Sequence, residues 1–388
     1  MREVAVIGVG MTKFGKFLET SIKDLGRMAT WEALKDGGIN PKDIQIAYVG
    51  NACLGVITGQ TMVLGQIILK EVGIRGIPIT NVENACASGS SAFREAWMAV
   101  ASGMYDIALA VGAEKLYSGN THLSTKALAG ATEVEYEANI GLTMPGHWAL
   151  RAQRFIQKYG TTQEQLAQVS VKNHKNGCLN PRAQYRKKVT VEEVLSSRMI
   201  ADPLTILSCN PLGDGAAAAL LASSEVATTY TRKPVWVAAS VLTTGCYDLD
   251  RDITRNQLEE RAGKQAFEMA GIGPTDLDLA EVHDCFTIAE FMRVESLGLV
   301  PEGEYGKWLD EGWAEIGGRL PINPSGGLLS KGHPVGATGV AQVAELTWHL
   351  RGEAGERQIQ GAKIGMTHCS GGGLVGDTAA CCVHILKV

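Results

Sequence analysis

The residue best suited to nucleophilic chemistry is Cys86, which opens a run of small residues, Ala87–Ala92. A helical pattern continues from this run to about Ser102, so the thiol is predicted to lie at the N-terminal end of a helix. The free N–H groups and partial positive charge of a helix N-terminus favour the thiolate, which is the reactive form. Small neighbours would also let a substrate approach closely. The alternative is a structural cysteine buried in a tightly packed helix.

The residue best suited to accept a proton from that thiol is His333. Gly332 and Pro334 restrict the backbone on either side of it, which favours a ring aimed at one point. A neutral histidine can take a thiol proton or donate a hydrogen bond to a developing oxyanion. The alternative is a core histidine at a turn, with its hydrogen bonds already satisfied.

A second thiol, Cys369, stands after a predicted strand, Ala362 to Met366, and is followed by Gly371–Gly373. Consecutive glycines leave backbone N–H groups exposed, as an oxyanion hole or a loop that contacts pantetheine requires. The alternative is a flexible turn.

Another predicted strand, Leu277 to Val282, runs directly into His283 and Cys285. Active sites of α/β folds gather at strand ends, so both side chains are candidates for a site. The alternatives are core packing for Cys285 and a surface turn for His283.

An internal repeat relates the two groups of candidates. Ala33–Ile44 aligns with Ala266–Leu277 with five identical pairs in twelve positions, and each copy predicts a helix, a proline-led turn and a strand. In the stretches that follow, Cys86 and His333 take equivalent places, each at the start of a small-residue helix. The repeat indicates two similar halves that arose by duplication.

Alternating strands and helices predict an α/β architecture in which helices cover the sheets. We predict that residues 1–115 together with 209–235 form the N-terminal half and that residues 236–388 form the C-terminal half. The polar segment 116–208 is predicted to be an irregular insertion that carries most of the longer loops and packs over the two halves.

Four segments together resemble, in order and spacing, the active-site loops of the thiolase superfamily: Asn84–Gly89, His283–Phe286, Gly332–Pro334 and Cys369–Gly371. Four further stretches resemble the same family: Lys172–His174, Asn180–Gln184, Asn210–Ala217 and Asn323–Gly327. The His-Asp-Cys-Phe loop is similar to that of the sterol-carrier-protein-type branch, which has bacterial and archaeal members. The resemblance implies a five-layered αβαβα thiolase fold of two duplicated halves, with an insertion over the active site.

The resemblance also implies a reaction. A thiolase cleaves a 3-oxoacyl-CoA with CoA to an acyl-CoA plus acetyl-CoA or a related acyl-CoA, or runs the reverse Claisen condensation. By resemblance, His333 helps to deprotonate Cys86, and the thiolate becomes acylated. The enolate oxygen would be held by His333 and His283. The oxyanion on the acylated cysteine would be held by the backbone N–H groups of Cys86 and Gly371.

One feature departs from that branch. Much of it has no cysteine in the loop that here holds Cys369, and the cysteine of the His-Asp-Cys-Phe loop serves as the second acid and base. This chain has both Cys285 and Cys369, so the sequence leaves open which thiol protonates the enolate.

The resemblance implies coenzyme A as a substrate, no metal and no redox cofactor. It also implies a homodimer or homotetramer, with a small zinc-ribbon/OB-fold protein as a further partner. The formal net charge of -5 does not favour nucleic acid or an anionic membrane, and no apolar stretch reaches the roughly 20 residues of a membrane span. Nine scattered cysteines and no leader pattern predict reduced thiols and a cytoplasmic enzyme. The residues that bind CoA, the direction of the reaction and the acyl group (short, branched, dicarboxylic or aromatic) stay open.

Two other functions compete with a thiolase. A ketoacyl synthase-like condensing enzyme also uses a cysteine, but pairs it with two histidines or with histidine and asparagine, and lacks a late Cys-x-Gly loop such as the one at Cys369. The second alternative is an acyl-CoA-binding subunit that is active only with a partner protein. The presence of all four loops argues against it.

Overall fold

The computed structural model of the chain describes residues 1–231, 233–248, 250–374 and 376–388. The strands are β1 Val4–Met11, β2 Ile46–Gly50, β3 Ile79–Val82, β4 Ile107–Lys115, β5 Met199–Ala201, β6 Leu204–Thr205, β7 Asp214–Ser223, β8 Val235–Thr244, β9 Leu279–Glu281, β10 Ile364–Leu374 and β11 Asp377–Lys387. The helices are α1 Ile22–Gly37, α2 Leu54–Thr58, α3 Leu64–Lys70, α4 Ser88–Ala101, α5 Thr121–Ala129, α6 Met144–Tyr159, α7 Gln163–Leu179, α8 Val191–Ser196, α9 Ser224–Tyr230, α10 Gln257–Ala270, α11 Thr287–Ser296, α12 Tyr305–Asp310 and α13 Thr338–Arg351.

The sheet consists of two half-sheets with matching topology. Its strand order is β3-β2-β4-β7-β1-β8-β11-β10-β9. From the middle of the sheet outward, the N-terminal half runs β1, β7, β4, β2 and the C-terminal half runs β8, β11, β10, β9. In both halves the first two strands pair antiparallel, and the fourth strand pairs parallel with the third. Among the described residues, the two half-sheets are hydrogen-bonded to each other where Ala5 pairs with Trp236 and Val6 with Val235. The predicted duplication is therefore present in the topology.

Three apolar cores separate the layers of the molecule. The first packs α1 and α3 against the outer face of the N-terminal half-sheet, and the third packs α10 and α11 against the outer face of the C-terminal half-sheet. The second holds α4 and α13 between the inner faces. The strands β4 and β7 are buried along almost their whole length, as expected for strands covered on both faces. This is the predicted αβαβα arrangement.

The small-residue runs allow the two central helices to touch. A Cβ atom added to Gly339 of α13 would lie 2.3 Å from the backbone N of Ser90 on α4. A Cβ atom on Gly89 would lie 2.5 Å from the carbonyl O of Gly336, just before α13. Only glycine fits at either position, and this close contact brings together the segments that carry Cys86 and His333.

Several local predictions differ from the structure. Helix α4 begins two residues after Cys86, and α13 begins at Thr338 after a 3-10 turn, Val335–Ala337. Strand β10 does not end at Met366 but runs through the glycines, because β11 supplies antiparallel partners as far as Leu374. The glycine run is therefore part of a sheet rather than a loop.

The segment 116–208 is mostly helical rather than irregular. It holds α5 to α8 and the short β5–β6 pair. Two of its helices begin with a capping box, formed by Thr162 and Gln165 in α7 and by Thr190 and Glu193 in α8. This pattern can be recognised in the sequence. The predicted boundaries 1–115 with 209–235, 116–208 and 236–388 stay a prediction. In the part of the chain that is described, no helix has the length and apolar character needed to cross a bilayer.

Candidate active site

Three side chains from both halves of the molecule meet at one point. The Sγ of Cys86 and ring nitrogens of His283 and His333 all lie within 4.8 Å of one another. The two imidazole rings are 5.0 Å apart between centroids and nearly perpendicular. A thiol between two imidazoles can be deprotonated and can then attack an electrophile. One thiol and two imidazoles are also a donor set that zinc accepts, and the absence of a metal cofactor stays a prediction.

A tight turn before α4 presents the thiol of Cys86. Ala85 adopts a left-handed conformation, with φ of 48°. The backbone N–H groups of Ala87 and Ser88 close the turn onto the carbonyls of Asn84 and Ala85, at 2.9 and 3.1 Å. The Ser88 hydroxyl also donates to the Ala85 carbonyl at 2.6 Å. These bonds hold the backbone in a conformation that non-glycine residues rarely adopt.

The thiol is neutral in the free protein. Burial raises the pKa of Cys86 to about 12, and the nearby Glu114 carboxylate adds to the rise. The backbone N–H groups of Gly372 and of Cys86 itself lower the pKa, but by less. Burial therefore opposes the expected acidic thiol, and the N–H groups at the start of the helix offset only part of this effect.

The hydrogen bonds of His333 define its tautomer. Its Nδ1 lies 2.7 Å from the Oγ1 of Thr338, and that hydroxyl is 3.1 Å from the carbonyl of Pro334. A hydroxyl has one proton, and a carbonyl can only accept, so Thr338 donates to Pro334 and accepts from Nδ1–H. The Nε2 atom then carries a free lone pair, and it has no hydrogen-bond partner among the residues described. Burial, with a smaller effect of Lys331, lowers the pKa of His333 to about 3, so the ring is neutral.

The two other thiols differ in access to the site. Cys369 is fully buried; its Sγ lies 3.6 Å from Nδ1 of His283 and donates to the carbonyl of Cys86 at 3.1 Å. Cys285 lines the cavity described below, whereas Cys369 is not among the described residues that line it. Burial raises the pKa of both thiols and, with the neighbouring His333, lowers the pKa of His283 far below its usual value.

A buried polar network fixes the loop of His283 and Cys285. The Asp284 carboxylate accepts hydrogen bonds from the backbone N of Leu328 and from Nδ2 of Asn173, both at 2.7 Å. Burial raises the pKa of Asp284 well above its usual value. Next to it, Lys172 and Glu290 form a buried ion pair at 3.1 Å. The sequence pointed to the stretches that hold Lys172 and Asn173, but not to this positioning role.

A second positioning residue, Glu114, was missed by the sequence analysis. Its buried carboxylate accepts hydrogen bonds from Nδ2 of Asn51 at 2.8 Å and from the backbone N of Gly336 at 3.1 Å. It therefore ties β4 of the N-terminal half to the segment after His333. A charged residue inside the apolar strand Ile107–Lys115 was the available signal.

The three reactive side chains line a cavity of about 670 Å³. Its walls come from both halves and from the segment 116–208, which contributes α5, the start of α6 and the chain after α8. Gly372 lines the cavity; Gly371 packs instead against the turn of Cys86, where an added Cβ would lie 2.1 Å from the Asn84 carbonyl. The oxyanion role of Gly371 stays a prediction, and Gly372 is an additional N–H donor at the sulfur.

Comparisons with known proteins agree with this geometry. Residues 4–225 match the thiolase N-terminal domain, and residues 240–386 match the thiolase C-terminal domain-like family. An acetyl-CoA acetyltransferase of Methanothermobacter thermautotrophicus is 49% identical over 100% of both chains. The benzoylsuccinyl-CoA thiolase subunit BbsB of Thauera aromatica is 40% identical over 96% of this chain and 95% of its own. A solved structure, the Ltp2-ChsH2(DUF35) aldolase, superposes with a TM-score of 0.85 at 26% identity, covering 100% of this chain and 98% of the other.

The chain belongs to the thiolase family. The predicted family, the predicted fold and the predicted class of enzyme, a thiolase-type acyltransferase, are confirmed.

Proposed function

We propose that the protein cleaves a 3-oxoacyl-CoA with CoA to an acyl-CoA plus acetyl-CoA or a related acyl-CoA, or runs the reverse Claisen condensation. The reaction proceeds through an acyl group on Cys86. The observation that carries the proposal is the neutral thiol beside the unpartnered Nε2 of His333, at a cavity of about 670 Å³. A cavity of this size is in the range of small-molecule sites.

The first step joins a proton transfer to a nucleophilic attack. Nε2 of His333 takes the proton of Cys86 as the sulfur attacks the 3-keto carbon of the substrate. Because the thiol and the imidazole are both neutral beforehand, the thiolate forms only as it is consumed. Backbone N–H groups of Cys86 and of Gly371 or Gly372 stabilise the oxyanion; losing one such donor typically costs about 100- to 1000-fold in rate.

Collapse of the tetrahedral adduct breaks the bond between C2 and C3. The acyl group stays on Cys86, and the bonding electrons form the enolate of the departing thioester, whose oxygen is held by His283 and His333. Cys285 donates the proton to C2, because it lines the cavity and Cys369 does not. Cys369 then serves to position His283 through the 3.6 Å contact to Nδ1. The thiol of a second CoA gives its proton to the Cys285 thiolate as its sulfur attacks the acyl group, and the Cys86 sulfur leaves and recovers the proton held by His333.

This chemistry needs coenzyme A as a substrate and no metal or redox cofactor, because the thioester itself stabilises the enolate. We further propose a cytoplasmic homodimer or homotetramer and a small zinc-ribbon/OB-fold partner protein. Two similar proteins support the partner: BbsB is named a thiolase subunit, and the Ltp2-ChsH2(DUF35) aldolase is named as a combination of two proteins. Turnover by this chain purified alone, at the rate reached in a native-host extract, would exclude a required partner.

The test of the proposed function is mass spectrometry of the intact protein after incubation with 3-oxoacyl-CoA thioesters. The wild type gains the mass of an acyl group, and Cys86→Ala does not. Cys246→Ala, which removes an exposed cysteine, is the matched control and retains the adduct. Adducts on Cys86→Ala at the wild-type level would refute the assignment.

A further inference from the structure

One cation that lines the cavity is buried and has no carboxylate partner. Arg151, on α6, is 3% exposed and lines the cavity. Its Nη2 donates to the carbonyl of Gly376. Its Nε and Nη1 have no hydrogen-bond partner, and no carboxylate lies within 4.0 Å, in the described ranges of the chain. A buried guanidinium left in this state is costly, and an anion delivered by a ligand would offset the cost.

The neighbouring arginines differ from Arg151 in this respect. Arg293 faces the buried carboxylate of Glu259 at 2.8 Å, and Arg251 lies 3.8 Å from Asp377. Burial, followed by the charge of Arg293, lowers the pKa of Arg151 to about 10. Of the two buried arginines that line the cavity, Arg293 therefore has an ion pair within 4.0 Å and Arg151 does not, among the residues described.

The carboxylates that also line this end of the cavity already have protein donors. Glu137 accepts from the backbone N of Gly376 at 3.0 Å, and Asp377 accepts from the backbone N of Tyr247 at 3.2 Å. His147 lines the same region, and burial together with Arg151 lowers its pKa to about 3, so it is neutral. The carboxylates of Glu259 and Asp377 raise the pKa of Arg151 from a distance, but among the described residues no carboxylate forms a direct ion pair with it.

Two aromatic rings connect Arg151 to the loop that carries Cys285. Its guanidinium lies 5.2 Å from the ring centroid of Trp148, and that ring stacks on Phe286, the neighbour of Cys285, at 5.9 Å. The hydroxyl of Ser370, next to Cys369 in β10, also lines the cavity without a partner. The phosphates of CoA lie at the far end of the pantetheine arm from the reacting thioester, which makes them poor candidates for a site at this depth.

We propose that Arg151 binds a carboxylate on the acyl part of the substrate, so that the enzyme acts on 3-oxoacyl-CoA thioesters with a terminal carboxyl group. This inference rests on the proposed function and narrows its substrate class. The free Nε–H and Nη1–H groups point from opposite edges of the guanidinium, so an oxygen of a carboxylate on either edge can accept a charge-assisted hydrogen bond from one of them. Among the short, branched, dicarboxylic and aromatic acyl groups left open by the sequence, the structure thus favours the dicarboxylic one.

The test compares two thioesters of equal length, 3-oxoadipyl-CoA and its terminal carboxamide. With the wild type, kcat/KM for thiolysis is expected to be at least about tenfold higher for the carboxylate, from charge-assisted hydrogen bonds. In Arg151→Gln, kcat/KM for the carboxylate falls by about 10- to 100-fold, and kcat/KM for the amide changes by less than about threefold. Arg154→Gln, an exposed arginine on the same helix, is the matched control and changes neither.

The outcomes separate the two proposals. Turnover of the amide as fast as the carboxylate by the wild type refutes the inference and leaves the thiolase function standing. No acyl-Cys86 with either thioester counts against the proposed function itself. The comparison of the two thioesters with the wild type needs no substitution. It therefore tests the inference even if Arg151→Gln fails to fold. An equal loss on both thioesters in that variant would also contradict a carboxylate-specific role.

Discussion

Replacing Thr338 by valine tests whether one hydroxyl sets the tautomer of the proposed base. Valine has nearly the same shape as threonine but cannot accept the hydrogen bond from Nδ1–H of His333, which is 2.7 Å long in the structure. The carbonyl of Pro334 keeps two backbone donors, from Ala337 at 2.9 Å and from residue 338 at 3.1 Å. The substitution therefore removes both hydrogen bonds of the hydroxyl, but only Nδ1–H of His333 is left without a partner.

The expected size of the effect follows from that burial. An N–H group left unpaired in the interior costs about 1–3 kcal/mol. The ring of His333 avoids this cost by moving its proton to Nε2, which then cannot accept the proton of Cys86. We expect kcat to fall by about 10- to 100-fold, because a free-energy cost of about 1–3 kcal/mol corresponds to a rate change of this size. KM should change little, because Thr338 is not among the described residues that line the cavity.

The assay is steady-state thiolysis, together with long-range NMR of the protein with 15N-labelled histidine. In the wild type, Nδ1 of His333 carries the proton; in Thr338→Val, Nε2 carries it. Thr347→Val is the matched control, since Thr347 is fully buried on the same helix and donates to the carbonyl of Val343 at 2.8 Å, away from the site. Thr338→Ser should restore kcat. Equal kcat values for Thr338→Val and Thr347→Val would refute the reasoning.

Two further predictions concern the thiols. Alkylation of Cys86 by iodoacetamide, followed by peptide mass spectrometry, should accelerate about tenfold per pH unit from about pH 6.5 to 9.5, because the thiolate fraction grows this way far below a pKa of about 12. A plateau near neutral pH would instead reveal a preformed thiolate–imidazolium pair. Cys285→Ala should slow exchange of the acetyl-CoA methyl protons with D₂O by about 100-fold or more, while Cys369→Ala should slow it by less than about tenfold. The reverse order would assign the proton transfer to Cys369.

Local sequence signals predicted a large part of the fold. The repeat of Ala33–Ile44 at Ala266–Leu277 anticipated two half-sheets of matching topology, because both copies specify the same helix, turn and strand. The strand ending at Met366 was predicted too short. Three glycines in a row indicate a turn, whereas the pairing of Gly371 with Ala380 on β11 keeps them in a strand. That pairing depends on a segment that a local pattern does not include.

The sequence allowed the residues of the candidate site to be predicted, but not their protonation states. Cys86, His283 and His333 could be selected because their residue types and neighbouring glycines and prolines are visible in the chain. Their common location could be inferred only by resemblance, since the three lie far apart in sequence. The rise in the pKa of the thiol and the fall in the pKa of both imidazoles depend on burial by the surrounding layers, which the local sequence does not show.

The sequence by itself determined the chemistry that the protein can perform and the duplicated α/β plan that carries it, because residue type and helix or strand periodicity are properties of short segments. The tertiary structure alone decided which groups are free to act. Within the described part of the chain, it left Nε2 of His333 without a partner, set Cys285 in the cavity wall and left Arg151 without a direct ion pair. Thr338, five residues after His333, sets the tautomer of that ring. The burial of all three groups depends on distant segments that exclude water, and that burial is not encoded locally.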